Sequence, residues 1–215
     1  MESERSRPTT RPYRQGARAE AAAETGRRIL RAALALYAEQ WVDQVALEAV
    51  AARAGVTVQT VLRRFGSKEG LLAAAGDELE QQVTAQRLAA PVGDVAGAIR
   101  NLFDHYEAVG DLVLRALAQE GRYPPIRALT DRGRQFHHAW VARTFAPLLA
   151  GVAGRDRERR LAQLIAVTDV YVWKLLRRDR GLDRDAAELA LRELLDGLAG
   201  APGGGTAGGG GHGRD

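Results

Sequence analysis

The sequence predicts an all-α protein of two parts, a three-helix head of about 45 residues and a larger helical body, on three observations. Apolar residues recur at helical spacing along most of the chain. Sustained period-two alternation is missing, as are Asn-Gly and Asp-Gly hairpin turns, so strands have no signal. Glycines, prolines and capping residues cut the periodic stretches into about nine segments of helical length.

Taken in order, Ile29, Ala33, Leu36 and Tyr37 give the first helix one apolar face. A short second helix runs from about Val45 to Arg53 and stops at Gly55, and a third runs from Thr57 to Phe65 with Thr57 as N-cap. Ser67 caps a long fourth, on which Leu72, Ala75, Leu79 and Val83 align, and which ends before Pro91. The fifth carries Val95, Ile99, Leu102, Phe103 and Tyr106, and Asp111 is expected to cap a sixth reaching Glu120. After Tyr123-Pro124-Pro125 a seventh is expected from Pro125 to about Ala150, with Ile126, Leu129, Gly133, Phe136 and Trp140 aligned. The eighth, about Arg155 to Arg180, aligns Leu161, Leu164, Ile165, Thr168, Tyr171, Val172 and Leu175. Gly181 ends it, and Asp183 caps a ninth with Leu191, Leu194, Leu195 and Leu198. Residues 1–19, with Arg5, Arg7, Arg11, Arg14 and Arg18, lack a core pattern and are expected to form a disordered basic arm. In the segment 200–215, nine of 16 residues are glycine, which makes it a flexible tail. The expected division is a head on residues 20–68 and a body on residues 69–199.

Composition narrows the function. Of 215 residues, 46% are hydrophobic and 27% charged, enough to bury a core. Cysteine is absent, which excludes disulfides, thiolate metal sites and a cysteine nucleophile. The longest uncharged apolar run, Thr144 to Gly154, is 11 residues against the roughly 20 of a membrane helix, and no secretory leader is visible, so a cytoplasmic protein without a membrane partner is expected. Residues 1–72 hold 12 Lys+Arg against 8 Asp+Glu; the remaining 19 of each cancel, so the whole net charge of +4 lies in the first third. A basic end on a neutral body suits a polyanionic partner.

The informative stretch is Leu47 to Phe65. Two short helices flank Ala54-Gly55-Val56, with glycine where a positive φ is wanted. Val61 and Phe65, four apart, point to the core. Val58, Gln59, Leu62 and Arg63 then face outward with Thr60 at the border, an arrangement suited to a DNA major groove. Gln59 is placed to read a base edge. Arg63, Arg64 and Lys68 are placed to meet phosphates, Lys68 at the start of the fourth helix, and Thr57 caps its helix with room for a phosphate contact.

Three groups of residues, Thr25-x-x-x-Ile29-Leu30-x-Ala32-Ala33-x-x-Leu36-Tyr37-x-Glu39, then Ala51-x-x-Ala54-Gly55-Val56-Thr57, then Thr60-Val61-x-x-x-Phe65-x-Ser67-Lys68-Glu69-x-Leu71, resemble the head of the tetracycline-repressor (TetR) family. The resemblance covers about 47 residues. It departs from the family pattern at Leu62, where a tyrosine is usual, at Arg64 for histidine, at Trp41 for glycine, and at Val45-Ala46 for a threonine pair. It implies a homodimeric, ligand-responsive regulator, usually a repressor, which binds a palindromic double-stranded DNA operator and dimerises through its last two helices. Leu161, Leu164, Leu191, Leu194, Leu195 and Leu198 are the expected dimer contacts.

The effector is not readable from the sequence. Phe103, Tyr106, Phe136, His137, Trp140, Thr168 and Tyr171 are candidates to line its cavity, with Tyr123 and Phe145 beside them; plain core packing is the competing account, and the preferred one for His137 and Trp140. No cofactor, metal site or catalytic residue is expected. Serine occurs only at positions 3, 6 and 67, and His-Glu-x-x-His, phosphate-loop and nucleophile-elbow patterns are absent. The competing reading is a helical small-molecule-binding module or enzyme that no longer binds DNA.

Overall fold

A computed structural model of the protein describes residues 11–200, and among these every regular element is a helix. The described residues divide into two compact units between Leu79 and Glu80, later in the chain than the boundary expected at residue 68.

In the first unit, α1 spans Arg11–Glu39, α2 Leu47–Ala54 and α3 Val58–Phe65, and α4, Lys68–Leu88, begins. The core takes Ile29, Ala32, Ala33, Leu36 and Tyr37 from α1, Val50, Ala51 and Ala54 from α2, and Val61 from α3. Leu71, Leu72 and Ala75 are buried as well, which is why the unit continues past the first turn of α4. Gly55 ends α2 in the left-handed region, at φ 64° and ψ 42°, where a Cβ would be strained. The helix starts at Leu47 rather than Val45, because Val45 is a core residue, 1% exposed, in the connection before it. Ala46 occupies the N-cap in an extended conformation and has no side-chain oxygen to accept an amide proton. Arg53 joins the ends of α2 and α1 by a bidentate pair to Glu39, at 2.9 and 3.0 Å.

The second unit contains α5 (Val95–Gln119), α6 (Pro124–Thr144), a 3₁₀ turn (Ala146–Leu149), α7 (Gly154–Val167), α8 (Val170–Lys174, running on through a π turn at Leu175–Asp179) and α9 (Arg184–Gly200). One core joins them, from Leu102, Phe103 and Tyr106 through Trp140, Phe145 and Leu164 to Trp173, Leu191 and Leu195.

Four expectations are corrected. The helix expected to start at Ile29 runs back to Arg11, so residues 11–19 are helical rather than a disordered arm; residues 1–10 and the glycine-rich 201–215 lie outside the described residues. The fifth and sixth expected helices are one, α5. Gly110 stays helical because its bare Cα is where the Trp173 ring packs, 2.6 Å from where a Cβ would stand, and Asp111 pairs with Arg178 at 3.0 Å instead of capping. The expected helix to Ala150 stops at Thr144, since Pro147 lacks an N–H and its ring opposes the carbonyl four residues back. The long eighth helix breaks after Val167, where the Thr168 hydroxyl donates to the Leu164 carbonyl and the Asp169 carboxylate accepts the Tyr171 amide to start α8. Thr57, Ser67 and Asp183 cap as expected.

The uncapped start of α2 is testable. Ala46→Thr supplies an acceptor in a backbone conformation that already suits one, and should stabilise the head by about 1 kcal/mol. Amide exchange of the first turn of α2 should slow; unchanged exchange would show that those amides are already satisfied.

Candidate nucleic-acid interface

The exposed face of α3 is set by what the helix buries. Val61 is fully buried and Phe65 half-buried, so the opposite side of this eight-residue helix must face solvent. The Thr57 hydroxyl accepts the Thr60 amide at 3.2 Å and lies 2.9 Å from the Thr60 hydroxyl, so these two side chains close the helix start on each other. Val58 and Leu62 are half-buried. Gln59 and Arg63, four apart and on one face, are exposed, and neither side chain makes a hydrogen bond or ion pair among the described residues. A group that reads or grips DNA needs its donors free, and these two satisfy that.

The other two cations are engaged within the head. Arg64 lays its guanidinium against α1 over Gly26, where an added Cβ would collide with it, and it also lies 6.0 Å from the Phe65 ring centroid. Lys68 donates from Nζ to the Asp43 carbonyl at 3.0 Å, joining the start of α4 to the connection before α2. Both keep their charge near the α3 surface, and both hold the head together. Sequence reading missed the packing role of Gly26, which nothing in the local pattern announces.

In the body, the candidate cavity residues separate. Phe103, Tyr106, Trp140 and Thr168 are buried, while Phe136 and His137 are half-buried. Tyr171 is 57% exposed and lines nothing, because the break at Asp169 rotates the following turn outward. Phe103, Tyr106 and Thr168, with Leu102, Val172, Trp173 and Leu191, line a crevice too narrow to admit a water molecule. The Tyr106 hydroxyl donates to the Thr168 carbonyl at 3.0 Å. His137 sits between Arg87, whose NH2 is 3.3 Å from Nδ1, and Thr168, whose hydroxyl is 3.2 Å from Nε2. Arginine can only donate, so Nδ1 accepts and the ring is the neutral Nε2–H tautomer. Burial first, and then the Arg87 charge, push His137 and His105 down to about 3. Among the described residues no group of three or more His, Asp or Glu side chains could hold a metal ion, and no helix is long and apolar enough to cross a membrane.

Three of the expected dimer leucines belong to this core instead. Leu164, Leu191 and Leu195 are at most 2% exposed, because the apolar stripes of α7 and α9 pack inward first. Leu161 and Leu198 are half-buried against the same core, and only Leu194, at 48%, stands exposed. Tyr171, Leu175 and Leu189, on α8, the π turn and α9, are also exposed.

The two histidines give the body an acid sensitivity. An unfolded chain binds protons at both below about pH 6.5, while the folded body does not until about pH 3, so stability falls as pH drops through this window. Between pH 7 and 5, above the carboxylate range, the loss should be about 2 kcal/mol for each histidine. Thermal unfolding at both pH values should show it, and His105→Gln should halve it; a melting temperature independent of pH would show that the histidines are hydrated.

Residues 29–75 match the model of the bacterial regulatory proteins of the tetR family. No curated protein shows significant sequence similarity to the chain. Solved structures of similar fold include a transcriptional regulator of Rhodococcus sp. Rha1, with 19% identity, a TM-score of 0.64, and 80% of this chain and 95% of that one covered. GusR of Salmonella enterica shows 22% identity and a TM-score of 0.64 over 82% of this chain and 95% of its own. NalD of Pseudomonas aeruginosa, described as the secondary repressor of a multidrug efflux pump, shows 25% identity and a TM-score of 0.52 over 82% and 97%. The head, with its glycine turn and threonine-capped α3, is similar over residues 29–75 to the tetR-family regulatory proteins, and the chain shares the fold of the solved regulators above.

Proposed function

We propose that the protein is a homodimeric repressor that binds a palindromic operator and leaves it when a small molecule occupies the body. The observation that carries the DNA half of this reading is the free Gln59–Arg63 face of α3, a helix capped by Thr57 and anchored in the head by buried Val61. Two heads in a symmetric dimer would meet successive major grooves about 34–36 Å apart. Repression is supported by the similarity to NalD, described as a repressor. An effector that switches occupancy almost completely must prefer one state by about 5.5 kcal/mol.

Gln59 and Arg63 have separable roles. A glutamine amide donates and accepts at once, which matches the N6 and N7 edge of adenine. Gln59→Ala should cost about 1–3 kcal/mol at one base pair per half-site and relax preference there, leaving nonspecific binding unchanged. Arg63→Ala should weaken all sequences alike and flatten the salt dependence, which for the parent should be about 10³–10⁵-fold between 50 and 200 mM if 6–10 phosphates are met. Competition binding across single-base variants of the operator beside the chain's own gene measures both; equal loss for every variant with Gln59→Ala would remove it as a base reader.

The dimer reading rests on the exposed Tyr171, Leu175, Leu189 and Leu194, a set of large apolar side chains that a lone chain would leave in water. Sedimentation should find a dimer at micromolar concentration, and Leu194→Arg should dissociate it without unfolding the core, from which Leu194 is absent. A parent chain that sediments as a stable monomer would overturn the reading.

A further inference from the structure

Gly26 lies in the interior of α1, where its backbone is helical and no positive φ calls for a glycine. Glycine weakens a helix interior relative to alanine, so what it supplies at this position is space. Gly26 is buried, and the three heavy atoms nearest to where its Cβ would stand are Nε, Cζ and Nη2 of Arg64, all within 2.6 Å. The bare backbone of α1 is therefore the seat of one planar group, the guanidinium that α3 carries near its end. Gly16, the other glycine of α1, has open space at the same point.

Shape rather than hydrogen bonding holds the guanidinium there. Among the described residues the Arg64 side chain makes no hydrogen bond or ion pair, and its ring neighbour is Phe65, 6.0 Å away at the centroid. Its N–H donors are uncommitted to protein acceptors, and the residue is exposed. A group held in place with its donors open is pre-organised for a partner with acceptor oxygens. Along α3, Thr60 and Arg64, four apart, form the row next to Gln59 and Arg63. When the Gln59–Arg63 row meets base edges, a flanking row faces the groove wall, which is lined with phosphates. We infer that Gly26 is a positioning residue for DNA binding, seating the Arg64 guanidinium so that it meets a backbone phosphate already oriented. This rests on reading α3 as the groove-facing helix, and it adds to that reading a residue on α1 that acts through Arg64 alone.

The test measures binding of the full chain to a mixed-sequence DNA duplex by fluorescence anisotropy over a range of salt, since phosphate contacts do not depend on sequence. Arg64→Ala should weaken binding by about tenfold or more and lower the salt slope by about one for each head. Gly26→Ala should weaken it by about tenfold for a pair of heads, because a freed arginine must be ordered again at each phosphate. In a chain already carrying Arg64→Ala, Gly26→Ala should change nothing, a coupling that general loosening of the head does not produce. The added methyl meets only the flexible end of a side chain, so the melting temperature should not fall. Gly16→Ala controls for the helix effect and should bind as the parent does. Arg64→Lys keeps the charge without the flat group, so it should bind about as weakly as Gly26→Ala while keeping the parent's salt slope. If Arg64→Lys binds like the parent, charge alone suffices and the seat is overturned; this comparison stands even if Gly26→Ala folds poorly. Gly26→Ala binding as tightly as the parent, or losing as much without Arg64 as with it, overturns the inference and leaves the reading of α3 intact. A parent chain that binds DNA without salt dependence, or not at all, removes that reading and the inference with it.

Discussion

The Arg87 guanidinium constrains the body of this protein more than any other group. A cation removed from water with no carboxylate beside it must have its charge spread over whatever the fold supplies. Trp140 offers the face of its ring, and Tyr106 and His137 supply polar contacts. These residues come from α5 and α6, and the network passes through Thr168 to the break between α7 and α8. His137 has little freedom of protonation state, since an imidazolium there would face Arg87 and lose its bond. The irregular turn at Thr168 and Asp169 is part of the same arrangement: Tyr106 holds the Thr168 carbonyl, and the Thr168 side chain bonds both the preceding helix and His137.

The head follows the opposite logic. Its core is small, with the Tyr37 hydroxyl as its buried polar atom, and its ionic groups sit on the surface as joints. Glu39 grips Arg53, Lys68 reaches the Asp43 carbonyl, and Arg64 covers the bare backbone of Gly26. Two of the three cations around α3 therefore stiffen the head as well as charging its surface, and Arg63 alone has no such duty. A rigid support with a few free side chains is what sequence reading of DNA demands, because base contacts discriminate only when their geometry is fixed. The substitutions that depart from the family pattern fit this picture unevenly. Arg64 gains a packing role against α1, and Val45 becomes a core residue, while Ala46 leaves the start of α2 without a cap.

The sequence by itself determined the helical class, the glycine that ends α2, the threonine that caps α3 and the outward face carrying Gln59 and Arg63. Each of these depends on residues within a few positions of one another, and helical spacing, positive φ and capping are local properties. The stripe Leu72, Ala75, Leu79, Val83 also continues at the same spacing onto Arg87, a charge on an apolar face. What only the tertiary structure decided is where each apolar stripe spends itself. Leu164, Leu191 and Leu195 carry the same periodicity as a dimer seam and yet fill the protomer core, because periodicity shows that a face is buried and not what buries it. Gly110 and Asp111 look like a helix break until Trp173 and Arg178, more than 60 residues away, occupy the space and pair the charge. The uncompensated burial of Arg87 is of the same kind, since it arises from side chains of three helices that meet only when the chain has folded.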